Sequence, residues 1–287
     1  MKTVLETLQS GAAYLEKHGV ESARLNMEHL VAHVLGCRRL QLYLDFDRPM
    51  QESELAPLRD LTKRRAAGEP LQHLLGEWEF CGRRMKCDAR ALIPRPETEE
   101  LVAGILKRLK AGGTPPGQAI DIGCGTGAIG LALAIEIPTC QVTLADVSAE
   151  ALALAAENAE MLGLGGAEGE GRLALVQSDL FAAAPGPFDL IAANLPYIPA
   201  AEIPQLAREV QHDPMLALDG GPDGLDLVRR LIAALPEALA TGGLAALELG
   251  IGQPREVEPL LFAAGFESIE IEADFAGIDR FVFVRNP

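Results

Sequence analysis

Ala119-Ile120-Asp121-Ile122-Gly123-Cys124-Gly125-Thr126-Gly127-Ala128-Ile129-Gly130 is the stretch on which the fold turns. A short apolar strand runs into glycines, which permit positive-φ backbone and let a ligand approach the main chain closely. A helix expected from about Ala128 offers that ligand its free N–H groups. Downstream, residues 142–146 read as the next strand, and Ser148 is placed to cap an Ala-rich helix with Glu150 in its first turn. Further strands are expected at 173–177, 189–193 and 244–249. The last two apolar runs, 268–272 and 280–284, have few residues and no helix between them, so they read as an antiparallel pair finishing a mostly parallel sheet. Upstream, residues 101–110 predict a helix ended by Gly112-Gly113. Such alternation implies an open α/β sheet, which binds ligands beyond the carboxyl ends of its strands. The Gly/Ala-rich stretch at 163–171 reads as a loop.

Before this domain the texture differs. Residues 1–75 carry only helical patterns: Leu25, Met27, Leu30, Val31, Val34 and Leu35 recur near the helical period and stop at Gly36. A second helix is expected from Glu52 to about Ala67, with Gly68 and Pro70 beyond it. Glu77-Trp78-Glu79-Phe80 and Arg83-Arg84-Met85-Lys86-Cys87 flank Cys81-Gly82, a hairpin signal. Pro94 and Pro96 then mark a linker. The expected organisation is a small helical bundle over 1–75, a hairpin linker over 76–96 and an α/β domain over 97–287.

Composition narrows the function classes. The 287 residues are 48% hydrophobic and 23% charged, ordinary values for a globular protein, and no apolar run is long enough to span a membrane. The N-terminus lacks the pattern of a signal peptide, and a cytoplasmic location is expected. A net charge of −16 opposes contact with nucleic-acid phosphate. The short basic runs Lys63-Arg64-Arg65 and Arg83-Arg84 with Lys86 read as solvated surface. Cys37, Cys81, Cys87, Cys124 and Cys140 are odd in number and include no CxxC pair, which disfavours disulfides and zinc sites alike. His29 and His33 share a helical face but have no acid or cysteine cluster near them, so no metal is expected.

The Gly-rich loop leaves two cofactors open. Gly125, Gly127 and Gly130 also satisfy the dinucleotide fingerprint, and Asp146, about 20 residues on, can hold ribose hydroxyls in either case. Asp121 favours a cationic ligand. An anion beside a pyrophosphate is unfavourable, whereas beside the sulfonium and ammonium of S-adenosylmethionine it is favourable. After the strand at 189–193 comes Asn194-Leu195-Pro196-Tyr197-Ile198-Pro199, where two prolines shape a loop at the carboxyl edge of the sheet. The Asn194 side-chain oxygen can accept one hydrogen of a planar NH₂ group, and the carbonyl of Leu195 is placed to accept the other. Tyr197 offers a flat face. Such a clamp orients a planar amide or an adenine for attack on a methyl group. A non-catalytic adapter that binds the methyl donor is a further alternative.

These residues resemble the class I amino-group methyltransferases, and among them the bacterial release factor glutamine methyltransferases, which modify the glutamine of the Gly-Gly-Gln motif in peptide chain release factors. The resemblance is carried by Arg65-Ala66-Ala67-Gly68-Glu69-Pro70-Leu71, Leu92-Ile93-Pro94-Arg95-Pro96-Glu97-Thr98-Glu99, the loop at 121–130, Ala217-Leu218-Asp219-Gly220-Gly221-Pro222-Asp223-Gly224-Leu225, and Gly277-Ile278-Asp279-Arg280-Phe281. It implies a Rossmann-like fold with an antiparallel last strand. It also implies donor binding by Gly123, Cys124, Gly125, Thr126 and Gly127, ribose recognition by Asp146, and further contact at Asp179 and Leu180. Asn194 to Tyr197 would grip the glutamine amide, with Asn194 also near the donor, and a release factor would be the partner. A substrate-recognition role for the helical bundle over 1–75 is implied by the resemblance alone. The family usually has Asn-Pro-Pro-Tyr, and Leu195 departs from it. Asn-Leu-Pro-Tyr looks like the ribosomal RNA adenine dimethylases, whose Gly-rich loop lies near the N-terminus and whose charge is typically basic.

Overall fold

A computed structural model of the chain describes residues 2–113, 115–165 and 171–287. They form two compact units: residues 1–77 with 207–212, and residues 78–206 with 213–287. In the first unit, α1 (Val4–Lys17) opens with a reciprocal cap. The Thr3 hydroxyl accepts from the Glu6 N–H at 3.2 Å, and the Glu6 carboxylate accepts from the Thr3 N–H at 2.9 Å. α2 (Ala23–Leu35) stops at Gly36 in the left-handed conformation, as its sequence predicts. α3 (Glu52–Ala66) and the short α4 (Leu71–Leu75) follow. α1, α2 and α3 pack together with Leu8, Leu15, Met27, Leu30 and Leu58 buried. Arg65 is only 2% exposed. Its guanidinium donates to Asn26 Oδ1 at 2.7 Å and to the Glu69 carbonyl at 3.2 Å, and pairs with Glu209. A buried guanidinium needs this many acceptors to offset its lost hydration.

The second unit begins with a hairpin, β1 (Glu77–Phe80) and β2 (Arg83–Lys86), whose turn residues Cys81 and Gly82 both have positive φ. That is the two-residue turn whose twist suits paired strands. α5 (Pro96–Gly112) leads to β3 (Gln118–Ile122), α6 (Ala128–Glu136), β4 (Gln141–Asp146), α7 (Ala149–Met161), β5 (Leu173–Gln177) and β6 (Phe188–Asn194). α8 (Asp226–Ala238), β7 (Leu239–Glu248), α9 (Gln253–Ala263), β8 (Ser268–Ala273) and β9 (Asp279–Arg285) complete the unit. The sheet order is β5-β4-β3-β6-β7-β9-β8, with β9 antiparallel to both neighbours and the β5–β7 ladders parallel. This is the mostly parallel sheet with an antiparallel last strand that the sequence predicts.

Successive strand residues serve opposite faces. Ala119, Leu190 and Leu244 join one core with Leu101, Ile105, Leu131 and Leu133, from α5 and α6. Ile120, Ile191 and Ala245 join the other, with Leu231 and Leu235 of α8 and Leu261 of α9. Burial on both faces explains why these strands read as continuous apolar runs rather than alternating ones. The order reverses about β3, which has β4 on one side and β6 on the other, so a crevice opens at the carboxyl ends of these strands.

One boundary differs from expectation. The helix expected from residue 101 begins at Pro96, so Pro-Glu-Thr-Glu is its first turn. Proline suits the first helical position because its missing N–H would have no partner there, and Glu97 and Glu99 favour the positive helix end. Of the Gly/Ala-rich stretch at 163–171, residues 166–170 lie outside the described residues. No described helix is long and apolar enough to cross a membrane.

Candidate active site

The crevice is a cavity of about 320 Å³. Its floor is the loop from β3 to α6, where Gly123, Gly125 and Gly127 have φ of 69°, 54° and 80°. A side chain at these positions would be strained, and a Cβ on Gly123 would also stand 2.9 Å from Leu195 Cδ2. Gly123, Cys124, Gly125 and Thr126 line the cavity, and Gly127 caps α6 just beyond. Cys124 is buried, which pushes its thiol well above the ordinary range and keeps it neutral.

Two carboxylates bracket this loop. Asp146, at the end of β4, lines the cavity; its Oδ2 accepts from the Gly125 N–H at 2.9 Å and its Oδ1 from the Ser148 N–H at 2.8 Å. These bonds fix the carboxylate at the rim and leave lone pairs for a diol. Asp121 lies behind the loop, 1% exposed, and is not part of the cavity wall. Its Oδ2 accepts from the Gly130 N–H at 2.8 Å, while its Oδ1 has no hydrogen-bond partner among the described residues. Burial pushes its carboxyl up to about 7, with the Asp146 charge adding to the rise and the Gly130 bond opposing it. An unpaired buried acid is costly. A cationic ligand above the loop would relieve that cost through its field or a bridging water, so the donor set fits S-adenosylmethionine. Val147, Asp179 and Leu180 line the same side; Leu180 holds a positive φ of 51°, and Asp179 Oδ2 accepts from Arg230 at 2.8 Å.

A strap formed by residues 90–95 covers one edge of the cavity. Asp213 anchors it, accepting from the Ile93 N–H at 3.3 Å and from Arg95 at 2.6 Å. The hairpin reaches the loop through Asn158, whose amide accepts from the Lys86 N–H at 2.6 Å and donates to the Thr126 carbonyl at 3.0 Å.

Asn194, Leu195 and Pro196 line the cavity opposite Asp146. The loop that holds them is braced from several segments. The Ile198 N–H donates to the Leu218 carbonyl at 3.1 Å, Gly220 to Ile198 at 2.9 Å, and Ala200 to Gly221 at 2.9 Å. Gln253 donates to the Tyr197 carbonyl at 2.8 Å while accepting from the Gly250 N–H at 2.8 Å. Gly224 has φ of 81°, and a Cβ there would stand 2.2 Å from the Tyr197 oxygen, so only glycine lets the two segments approach. Leu195 is buried in the core beside α8 and α9, which gives the loop an apolar anchor where the family's usual proline would stiffen it. Tyr197 lies outside the cavity wall. Burial and the Glu248 charge push its phenol up to about 12, against Arg280 and Arg95, which pull it down.

Behind Asn194 is a group that the sequence reading did not single out. Asn194 and Glu248 pair in register at the ends of β6 and β7. Thr98, in the first turn of α5, donates to Glu248 Oε2 at 2.8 Å and accepts from Asn194 Nδ2 at 3.2 Å. Glu248 is 2% exposed, and burial pushes its carboxyl up to about 7. Its sequence signal is an acid closing an apolar strand, Leu247-Glu248-Leu249. Glu97 and Glu99 flank Thr98 but do not line the cavity; Glu99 Oε1 accepts from the Cys81 N–H at 3.0 Å.

Comparison with known proteins gives consistent matches. The model described as the PrmC N-terminal domain matches residues 6–76, and that of the methyltransferase small domain matches residues 102–221. The chain is 42% identical to the release factor glutamine methyltransferase of Geobacter sulfurreducens, over 98% of this chain and 95% of that one. It is 41% identical to the enzyme of the same name from Deinococcus radiodurans, over 98% of both. Among solved structures, the T. thermophilus 16S rRNA N2 G1207 methyltransferase, in complex with AdoMet and guanosine, superposes with a TM-score of 0.53 at 17% identity, covering 74% of this chain and 50% of that one. The catalytic domain of hMettl16 superposes with a TM-score of 0.56 at 14% identity, covering 83% and 85%. At these identities the structural likeness concerns the fold alone.

Proposed function

The chain belongs to the release factor glutamine methyltransferase family, and from that premise we infer that it methylates the side-chain amide nitrogen of the glutamine in the Gly-Gly-Gln motif of peptide chain release factors. The observation that carries this reading is that Asn194 and Leu195 line the same cavity as the Gly123–Thr126 backbone and Asp146. S-adenosylmethionine, when bound, supplies an electrophilic methyl group on a sulfonium sulfur. Gly123 to Gly127 would give it close backbone approach, Asp146 would accept from its ribose hydroxyls, Asp179 and Leu180 would border its base, and Asp121 would balance its positive charge.

Asn194 Oδ1 and the Leu195 carbonyl accept the two amide hydrogens of the glutamine. The amide nitrogen is a poor nucleophile because its lone pair is delocalised. Two acceptors on its hydrogens would push density back onto nitrogen and fix the orientation of the amide in the cavity. Its proton leaves late, to water, so the chain needs no strong base at this position. Pro196 and the Tyr197 segment hold the clamp's shape. The helical unit recognises the body of the release factor, which places the enzyme with the translation machinery in the cytoplasm.

Labelled S-adenosylmethionine offered with a release factor, with its Gly-Gly-Gln variant carrying alanine for glutamine, or with DNA separates the readings. Label on the wild-type release factor alone is expected. Label on DNA, equal label on the alanine variant, or none on any acceptor would refute the proposal.

A further inference from the structure

An asparagine amide has a donor end and an acceptor end of nearly equal size, and only one of them can serve the clamp. What decides between them here lies one layer behind the cavity. A threonine hydroxyl has a single proton. Thr98 gives that proton to Glu248 Oε2 at 2.8 Å, so toward Asn194 it can only accept, and it takes Nδ2 at 3.2 Å. That bond draws the NH₂ end inward. The acceptor end, Oδ1, is left for the cavity that Asn194 lines.

We propose that Glu248, acting through Thr98, is a positioning residue that holds the Asn194 amide with its oxygen toward the glutamine, and that protonating Glu248 reverses this chain of donors and disables the clamp. A neutral Glu248 can donate to Thr98. The Thr98 proton then turns to Asn194, which must present Oδ1 to it and Nδ2 to the cavity. Donor then meets donor at the glutamine NH₂. The inference rests on the reading of Asn194 as the glutamine's acceptor.

The groups around Glu248 set where this occurs. Burial raises its carboxyl to about 7; the Thr98 bond and Arg280, from β9, lower it, while Glu97, from α5, raises it. The Tyr197 phenol, from the loop after β6, stays neutral across this range. Arg280 is itself held by Asp274 at 2.9 Å and remains charged. Glu248 therefore titrates near neutrality, where Tyr197 and Arg280 keep their charge states.

The test uses the whole enzyme with a release factor and saturating S-adenosylmethionine, with kcat followed on both sides of neutral pH. The wild type is expected to lose kcat below a midpoint near 7. Glu248→Gln, which can donate or accept but cannot titrate, should lower the alkaline plateau by about fivefold and abolish the acid limb. Thr98→Val should lower kcat by about 30-fold with donor affinity, measured by calorimetry, within about twofold of wild type. Thr98→Ser, which keeps the hydroxyl, should recover most of that loss. The Asn194 side-chain NH₂ resonances in ¹⁵N spectra should titrate with the same midpoint in wild type and stay fixed in Glu248→Gln. An acid limb that persists in Glu248→Gln, or Thr98→Ser as impaired as Thr98→Val, overturns the proposal. Full activity in Asn194→Ala would instead overturn the clamp itself. An impaired Asn194→Ala beside an unimpaired Thr98→Val would overturn only the role of the Thr98–Glu248 pair.

Discussion

The two sides of the cavity are built in opposite ways. The donor side is nearly continuous in sequence: β3, its glycine loop and α6 follow one another, and Asp146 closes the very next strand. The acceptor side is gathered from afar. Asn194 ends β6, Thr98 lies in the first turn of α5, Glu248 ends β7, Gly224 precedes α8, and Gln253 opens α9. A local site depends on backbone conformation, which glycine and one acid specify. An assembled site depends on register and on a hydrogen-bond network that fails as a unit. The difference teaches that the donor side tolerates loss of single contacts better than the acceptor side does.

Asn194→Ala should produce the largest effect, a fall in kcat of about a thousandfold with donor affinity nearly unchanged, read by single-turnover kinetics and calorimetry. Full activity in this variant would erase the distinction between the two sides. Asp146→Ala should do the reverse, weakening donor affinity by about 30-fold while kcat at saturating donor stays within a few-fold. Gln253→Ala removes the brace on the Tyr197 carbonyl and should raise KM for the release factor by about fivefold, with donor affinity unaffected. A rise confined to donor affinity would mean that the brace serves the other side.

The smallest effect concerns pH and Asp121. Its folded-state carboxyl is raised from the usual 3.8 to about 7. The folded chain therefore binds this proton more tightly than the unfolded chain. Its contribution to stability is fully present below the unfolded value and is lost as pH rises through about 7. Asp121→Asn should flatten that decline in Tm and leave the ligand-free protein more stable than wild type above neutrality. In wild type, affinity for the cationic donor should rise with pH through the same range, and the rise should vanish in the variant.

The same contrast governs what the sequence reveals. Gly123 to Gly127 and Asp146 are legible because strand, turn and acid occur in order, and the sheet direction then fixes where they lie. Asn194 is legible because two prolines mark an irregular loop after a buried strand. Thr98 is hidden by Pro94 and Pro96, which suggest a linker, although Pro96 is in fact the first residue of a helix. Glu248 and Gln253 are hidden for another reason. Glu248 meets Asn194 through the parallel register of β6 with β7, and Gln253 meets the Tyr197 carbonyl across 56 residues of sequence, long-range pairings that local periodicity does not encode. Asp121 was read as a charge near the donor, and what the sequence could not show is that half of its carboxylate is already bound to Gly130.

The most direct test of the account is to map the methyl group by tandem mass spectrometry on a release factor treated with this enzyme and S-adenosylmethionine. A single added methyl is expected on the side-chain amide of the glutamine in Gly-Gly-Gln. A methyl on any other residue, or an unmodified release factor beside a methylated nucleic acid, would contradict it.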